Sequence, residues 1–151
     1  MVNGSLEDRV TSFLGDLAEK EHEKRPVWGP TEKWSHYVPL KKTVFLEDYY
    51  LTVWKTVPEK REDIWKVVSW ELAHTFKHYI DDVRFEKGDE RGRRIKPHVE
   101  NRKTIRIEEY KFEEQADIYA NGVTGTTLSE YLKLRSELRP WNINLGRKVN
   151  P

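Results

Sequence analysis

The run Trp70-Glu71-Leu72-Ala73-His74-Thr75-Phe76-Lys77-His78 places two imidazoles one helical turn apart, with a carboxylate three residues before the first. Some forty residues later comes Glu113-Glu114-Gln115-Ala116-Asp117. Such residues can hold a divalent metal and activate a water on it. In the pattern His-Glu-x-x-His, two imidazoles on one helical face grip the ion and the Glu between them takes a proton from the bound water. Here Trp70 occupies the first of those five positions. An indole has an N–H donor and no lone pair in its ring plane, so it cannot ligate a metal. On this helix His74 and His78 remain as candidate ligands, and a carboxylate of the later segment, Glu113 or Asp117, could join them. If His78 replaces the missing imidazole, Glu71 precedes both ligands instead of lying between them, which spoils its geometry for polarising a metal-bound water.

A helix must present these groups together. On a wheel of about 100° per residue, Trp65, Val68, Leu72, Phe76, Tyr79, Ile80 and Val83 fill one broad apolar arc. Glu71, His74 and His78 share a narrower arc with Val67 and Trp70. A face carrying a Trp and two His should be covered by another element or line a cleft. In the second helix, Phe112, Ala116, Tyr119 and Ala120 make a buried stripe, flanked one turn apart by Glu113 and Asp117. If the two helices pack together, two imidazoles and one or two carboxylates meet, a set that suits zinc or another divalent ion. The plainer alternative is that His74 and His78 are surface imidazoles and that Glu71 makes a local ion pair.

The elements around them are legible to different degrees. Ser5, followed by Glu7 and Asp8 and the stripe Leu6, Val10, Phe13, Leu14 and Leu17, predicts a capped amphipathic helix over 5–21. Pro26, Gly29 and Pro30 predict an exposed loop. Segments 36–40, 43–47 and 50–54 are rich in Tyr, Val, Phe, Leu and Trp, and predict two or three short strands. Thr56-Val57-Pro58-Glu59 is a helix start, and the histidine helix should run from Pro58 to about Val83. Residues 86–92 form a charged turn, with short strand candidates at Arg93–Lys96 and Lys103–Ile107 around Pro97-His98. Two further helices are expected over 108–121, stopped by Asn121-Gly122, and over 127–138, before Pro140. This is one domain over residues 1–140 with a tail at 141–151.

Composition narrows the function. The chain has no cysteine, which excludes disulfides, thiolate-bound zinc and a cysteine nucleophile. Its 27 basic and 26 acidic side chains leave a net charge of +1, so no global field draws in nucleic acid or an anionic membrane. No apolar run approaches the ~20 residues of a membrane helix, and no charged start followed by an apolar stretch marks a signal peptide. A cytoplasmic protein is expected. Abundant Lys, Glu and Arg without Cys suits a protein adapted to high temperature.

Taken together, the segments resemble the minimal zincin-like metallopeptidase domain of the ImmA/IrrE class. Such domains carry His-Glu-Leu-x-His on one helix and Glu-x-x-Ala-Asn/Asp-x-Phe/Tyr-Ala on a following one. Trp70-Glu71-Leu72-Ala73-His74 departs from the first at position 70. Glu113-Glu114-Gln115-Ala116-Asp117-Ile118-Tyr119-Ala120 matches the second throughout, and order and spacing agree across residues 40–122. The resemblance implies an α+β fold, a small mostly antiparallel sheet packed against three main helices. It also implies Glu71 as general base, with His74 and Glu113 as zinc ligands. With Trp70 in place of a ligand, it implies a degenerate site that retains the fold.

The expected function is therefore a catalytically impaired zincin-like protein that binds a protein or peptide partner through the former cleft, lined by Trp70 and Asp117. Six Trp residues favour this, because aromatic side chains outside a core make strong interface anchors. One rival is an active metal-dependent hydrolase using a rearranged His74, His78 and Glu113 site. Another is a nucleic-acid accessory protein using the basic segment 91–106, whose charge Asp89, Glu90 and Glu100 dilute.

Overall fold

The computed structural model describes residues 4–93 and 107–138, with backbone only over 107–112. The tail 141–151, most of the basic segment and the strand candidates beyond Arg93 lie outside the described residues.

The fold is α+β, as expected. It comprises α1 (Leu6–Lys20), β1 (Val27–Thr31), β2 (His36–Val38), β3 (Thr43–Glu47), α2 (Tyr49–Thr56), α3 (Arg61–Glu86), α4 (Ile107–Thr124) and α5 (Leu128–Leu138). The Ser5 hydroxyl accepts a hydrogen bond from the Asp8 amide at 3.1 Å and caps α1, with Glu7 and Asp8 beside the positive end of its dipole. Leu6, Val10, Leu14 and Leu17 are buried on one stripe, which α1 lays against α3.

The sheet order is β1-β3-β2. β1 runs parallel to β3, and β2 antiparallel to it, so the sheet is evenly mixed rather than mostly antiparallel. Residues 32–35 cause this by crossing the end of β3 and carrying the chain to the far edge. The expected loop over Pro26–Pro30 is strand β1. Proline cannot donate to a sheet ladder, and an edge strand tolerates it, which is where Pro30 lies. The strand expected over 50–54 is helix α2. Its β-type residues Tyr49, Tyr50, Val53 and Trp54 are all buried; their spacing has a helical period, and burial of that stripe overrides β propensity.

α3 begins three residues later than expected, because Pro58–Lys60 form a 3-10 turn. It continues to Glu86 and ends where Gly88 adopts φ 76°, a left-handed conformation that glycine takes without a Cβ penalty. α4 likewise passes through Asn121-Gly122 and stops at Gly125, φ 73°, whose amide donates to the Asn121 carbonyl.

α3 is the central element. α1, α2, the sheet, α4 and α5 all pack against it. Val67, Val68, Trp70, Glu71, Leu72, Ala73, Thr75 and Phe76 are all buried, so the helix is enclosed nearly all round. One apolar cluster draws buried residues from every helix, α1 to α5. No described helix is long and apolar enough to cross a membrane.

Candidate functional site

Two consecutive turns of α3 carry two different polar clusters. The first surrounds Glu71, which is buried. Its carboxylate accepts hydrogen bonds from Ser35 Oγ at 2.5 Å, Tyr50 Oη at 2.6 Å and Tyr131 Oη at 2.8 Å. Arg135 Nε makes an ion pair with it at 3.4 Å. Arg135 also reaches Glu47 at 3.5 Å, and its guanidinium lies over the Trp34 ring, 3.6 Å from the centroid. The Ser35 hydroxyl in turn accepts from the Glu47 amide. Three elements thus converge on this carboxylate of α3: the β1–β2 crossing, α2 and α5.

Trp70, one residue earlier, is buried. Its indole N–H donates to Asn121 Oδ1 at 2.9 Å. Its ring stacks on Tyr131 at 4.0 Å between centroids and on His74 at 5.5 Å. An indole already donating its one polar hydrogen to α4 leaves no donor atom for a cation. The ligand set that the resemblance implies, with an imidazole at position 70, is therefore not available to a metal here.

The second cluster lies between α3 and α4. His74 Nδ1 is 2.9 Å from Asp117 Oδ1 and His74 Nε2 is 2.9 Å from Glu113 Oε2. His78 Nε2 is 2.9 Å from Glu113 Oε1. The ligand atoms of His74, His78 and Glu113 all lie within 4.8 Å of one another. Glu113 keeps 60% of its side chain exposed while the His78 side chain keeps 12%, so the cluster sits in a crease open on the Glu113 side. Burial works against a charged His74 ring, but the hydrogen bonds to Asp117 and Glu113 outweigh it and raise the pKa to about 9. Glu113 shifts the other way: burial opposes its charge, yet hydrogen bonds to His74 and His78 hold it well below the usual carboxylate range.

Beside these clusters is a cleft of about 150 Å³ lined by Trp34, Ser35, Trp70, Glu71, His74, Thr75 and Tyr131. His74 belongs to both the cleft wall and the α3–α4 crease.

The sequence-derived candidates Trp70, Glu71, His74, His78, Glu113 and Asp117 therefore all fall in one region, divided between two sides of α3. Glu71 faces α2 and α5; His74 and His78 face α4. Ser35, Tyr50, Tyr131, Arg135, Trp34 and Asn121 were not assigned to the site from the sequence. Tyr131 and Arg135 share a face of α5 at a four-residue spacing, but nothing local indicates that this face meets Glu71. Of the basic segment, Arg91 pairs with Asp89 and Arg93 with Asp81.

No protein-family model, curated protein or solved structure matches this chain.

The tyrosines around Glu71 set an alkaline limit on stability. Burial and then the Glu71 charge raise the pKa of Tyr50 and of Tyr131 well above 10. Burial, with Asp82 and Glu21 respectively, does the same for Tyr37 and Tyr119. A folded-state pKa above the unfolded value adds stability that is fully present below about pH 10 and is lost as pH rises beyond it. These tyrosines should therefore ionise together with unfolding. Tyrosinate absorbance and far-ultraviolet circular dichroism should change in one coincident transition. Ionisation of all the tyrosines before any loss of helix would contradict the hydrogen bonding described.

Proposed function

We propose that this protein is a catalytically silent, degenerate relative of zincin-like metallopeptidases that binds a peptide segment in the cleft beside Trp70. The state of Glu71 carries the proposal. A general base for water must offer a carboxylate oxygen toward a bound nucleophile. Glu71 instead accepts from three hydroxyls and pairs with Arg135, in the manner of a buried structural carboxylate. Trp70 adds to this by filling the place of a ligating imidazole.

The cleft favours binding. Trp34, 57% exposed, is backed by the Arg135 guanidinium and faces a wall made partly by Trp70 and Tyr131. An exposed aromatic on a rigid support, beside a concave apolar wall, is the usual form of an interface anchor. The resemblance places the former substrate groove here, so an extended peptide is the fitting occupant. A chain without cysteine has no need of an oxidising compartment, and we place the protein in the cytoplasm. The rival of an active hydrolase built on His74, His78 and Glu113 is less well supported, because Glu71 is held by four groups and Asp117 by His74.

Selection from a random peptide display library tests this. The protein should retain a defined subset of peptides. Trp34→Ala, at an exposed position, should keep the fold and weaken their binding by at least about tenfold. Retention of the same peptides with equal affinity by Trp34→Ala would remove the cleft from the proposal. Hydrolysis of any retained peptide that Glu71→Gln abolishes would overturn the claim of silence.

A further inference from the structure

We infer that His74, His78 and Glu113 form a divalent transition-metal site, displaced one helical turn from the position that the peptidase pattern would use, with Asp117 orienting His74. The two imidazoles come from consecutive turns of α3 and the carboxylate from α4. Tetrahedral bonds of ~2.0–2.1 Å place neighbouring donor atoms about 3.3 Å apart. His74 and His78 each lie 2.9 Å from a different Glu113 oxygen, and one ligand atom from each residue falls within 4.8 Å of the others, so closing on an ion requires movement of Glu113, the exposed partner.

His78 distinguishes a cation site from a set of ion pairs. Its Nδ1 is buried without a hydrogen-bond partner, and its buried Nε2 has the Glu113 carboxylate 2.9 Å away. Burying an imidazole with an unpartnered nitrogen is costly. A cation would give Nε2 and the Glu113 carboxylate a shared partner, with Nδ1 left on the far side of the ring. His74 is prepared for the same task. With Nδ1–H donating to Asp117, a metal would take the place of the proton on Nε2, the nitrogen that otherwise meets Glu113. An outer carboxylate that fixes a ligating imidazole in this way is the usual partner of histidine–metal bonds.

The donor set selects the metal class. Two imidazoles and one carboxylate suit zinc, cobalt or nickel, whereas calcium and magnesium prefer all-oxygen cages. A solvent molecule would supply the fourth position on the open side of the crease. The bound ion would tie α3 to α4 and so stiffen the α4 wall that holds Trp70 through Asn121. The inference is independent of peptide binding in the cleft.

The test uses the full chain without a tag, stripped by a chelator and titrated separately with zinc and with cobalt. The expected result is one zinc per chain, a visible cobalt spectrum of tetrahedral type, and a Tm about 5–10 °C higher at a hundredfold excess over Kd. Glu113→Gln and His78→Ala should each weaken binding by more than about a hundredfold, and Asp117→Ala by about 10–100-fold. If His78→Ala fails to fold, Glu113→Gln decides, because that side chain is largely exposed. Less than a few tenths of zinc per chain, or binding that survives His78→Ala and Glu113→Gln, overturns the inference. Peptides retained by the metal-free protein would leave the proposed function standing even then.

Discussion

Glu71→Ala should lower the stability of the folded protein by about 3–5 kcal/mol, a loss large enough to shift the urea midpoint by more than a molar unit. Two effects combine. Arg135, whose side chain is largely buried, loses one of its two carboxylate partners. The hydroxyls of Tyr50 and Tyr131, both in buried surroundings, lose their acceptor. Breaking one partner of a buried ionic cluster costs far more than the cluster contributes against an apolar replacement, because a buried charge is left uncompensated. Glu71→Gln should cost less, since the amide oxygen can still accept from a tyrosine. A catalytic carboxylate behaves differently: removing it ends activity while stability changes little or rises. Equilibrium unfolding in urea separates the two. Wild-type stability in Glu71→Ala would mean that the four contacts contribute nothing, and would reopen the case for Glu71 as a base.

Trp70→His in a His78→Ala background should recover the zinc binding that His78→Ala alone loses. The double variant offers imidazoles at positions 70 and 74 on one face of α3, with Glu113 opposite on α4, which is the ligand arrangement implied by the zincin resemblance. His74 is positioned for this, because its ring already stacks beside position 70 and its Nε2 already meets Glu113. The exchange costs the stacking of Trp70 on Tyr131 and the hydrogen bond to Asn121. Stability should fall by about 2–4 kcal/mol, and zinc should restore part of it. Zinc uptake is read by metal analysis of the dialysed protein. Failure of the folded double variant to take up zinc would show that position 70 does not project toward Glu113, and the resemblance would lose its geometric basis. No hydrolysis is expected from this variant, because Glu71 keeps its tyrosines and Arg135.

Much of the scaffold was legible before any coordinates. The capped stripe of α1, the helix carrying the histidines, and the shared edge of Glu113 and Asp117 on α4 all follow from period and cap chemistry. These are short-range properties: which residues share a helical face is fixed by 3.6 residues per turn. The same reasoning placed His74, His78, Glu113 and Asp117 in one neighbourhood. It failed where local preference and burial disagreed. The residues of α2 are good strand formers, yet they have helical spacing and sink into the core. Pro30 suggests a loop, yet an edge position makes it acceptable in β1.

The amino-acid order by itself determined the ligand types: imidazoles and carboxylates, no thiolate, and an indole where a ligand would stand. The tertiary structure alone decided what Glu71 does. On a helical wheel it belongs with His74 and His78, but a side chain takes its chemistry from whichever element packs against it. Here α5 brings Tyr131 and Arg135 from sixty residues away, and the β1–β2 crossing brings Ser35. No periodicity within α3 encodes these partners, because they depend on how α5 and residues 32–35 dock once the chain has folded.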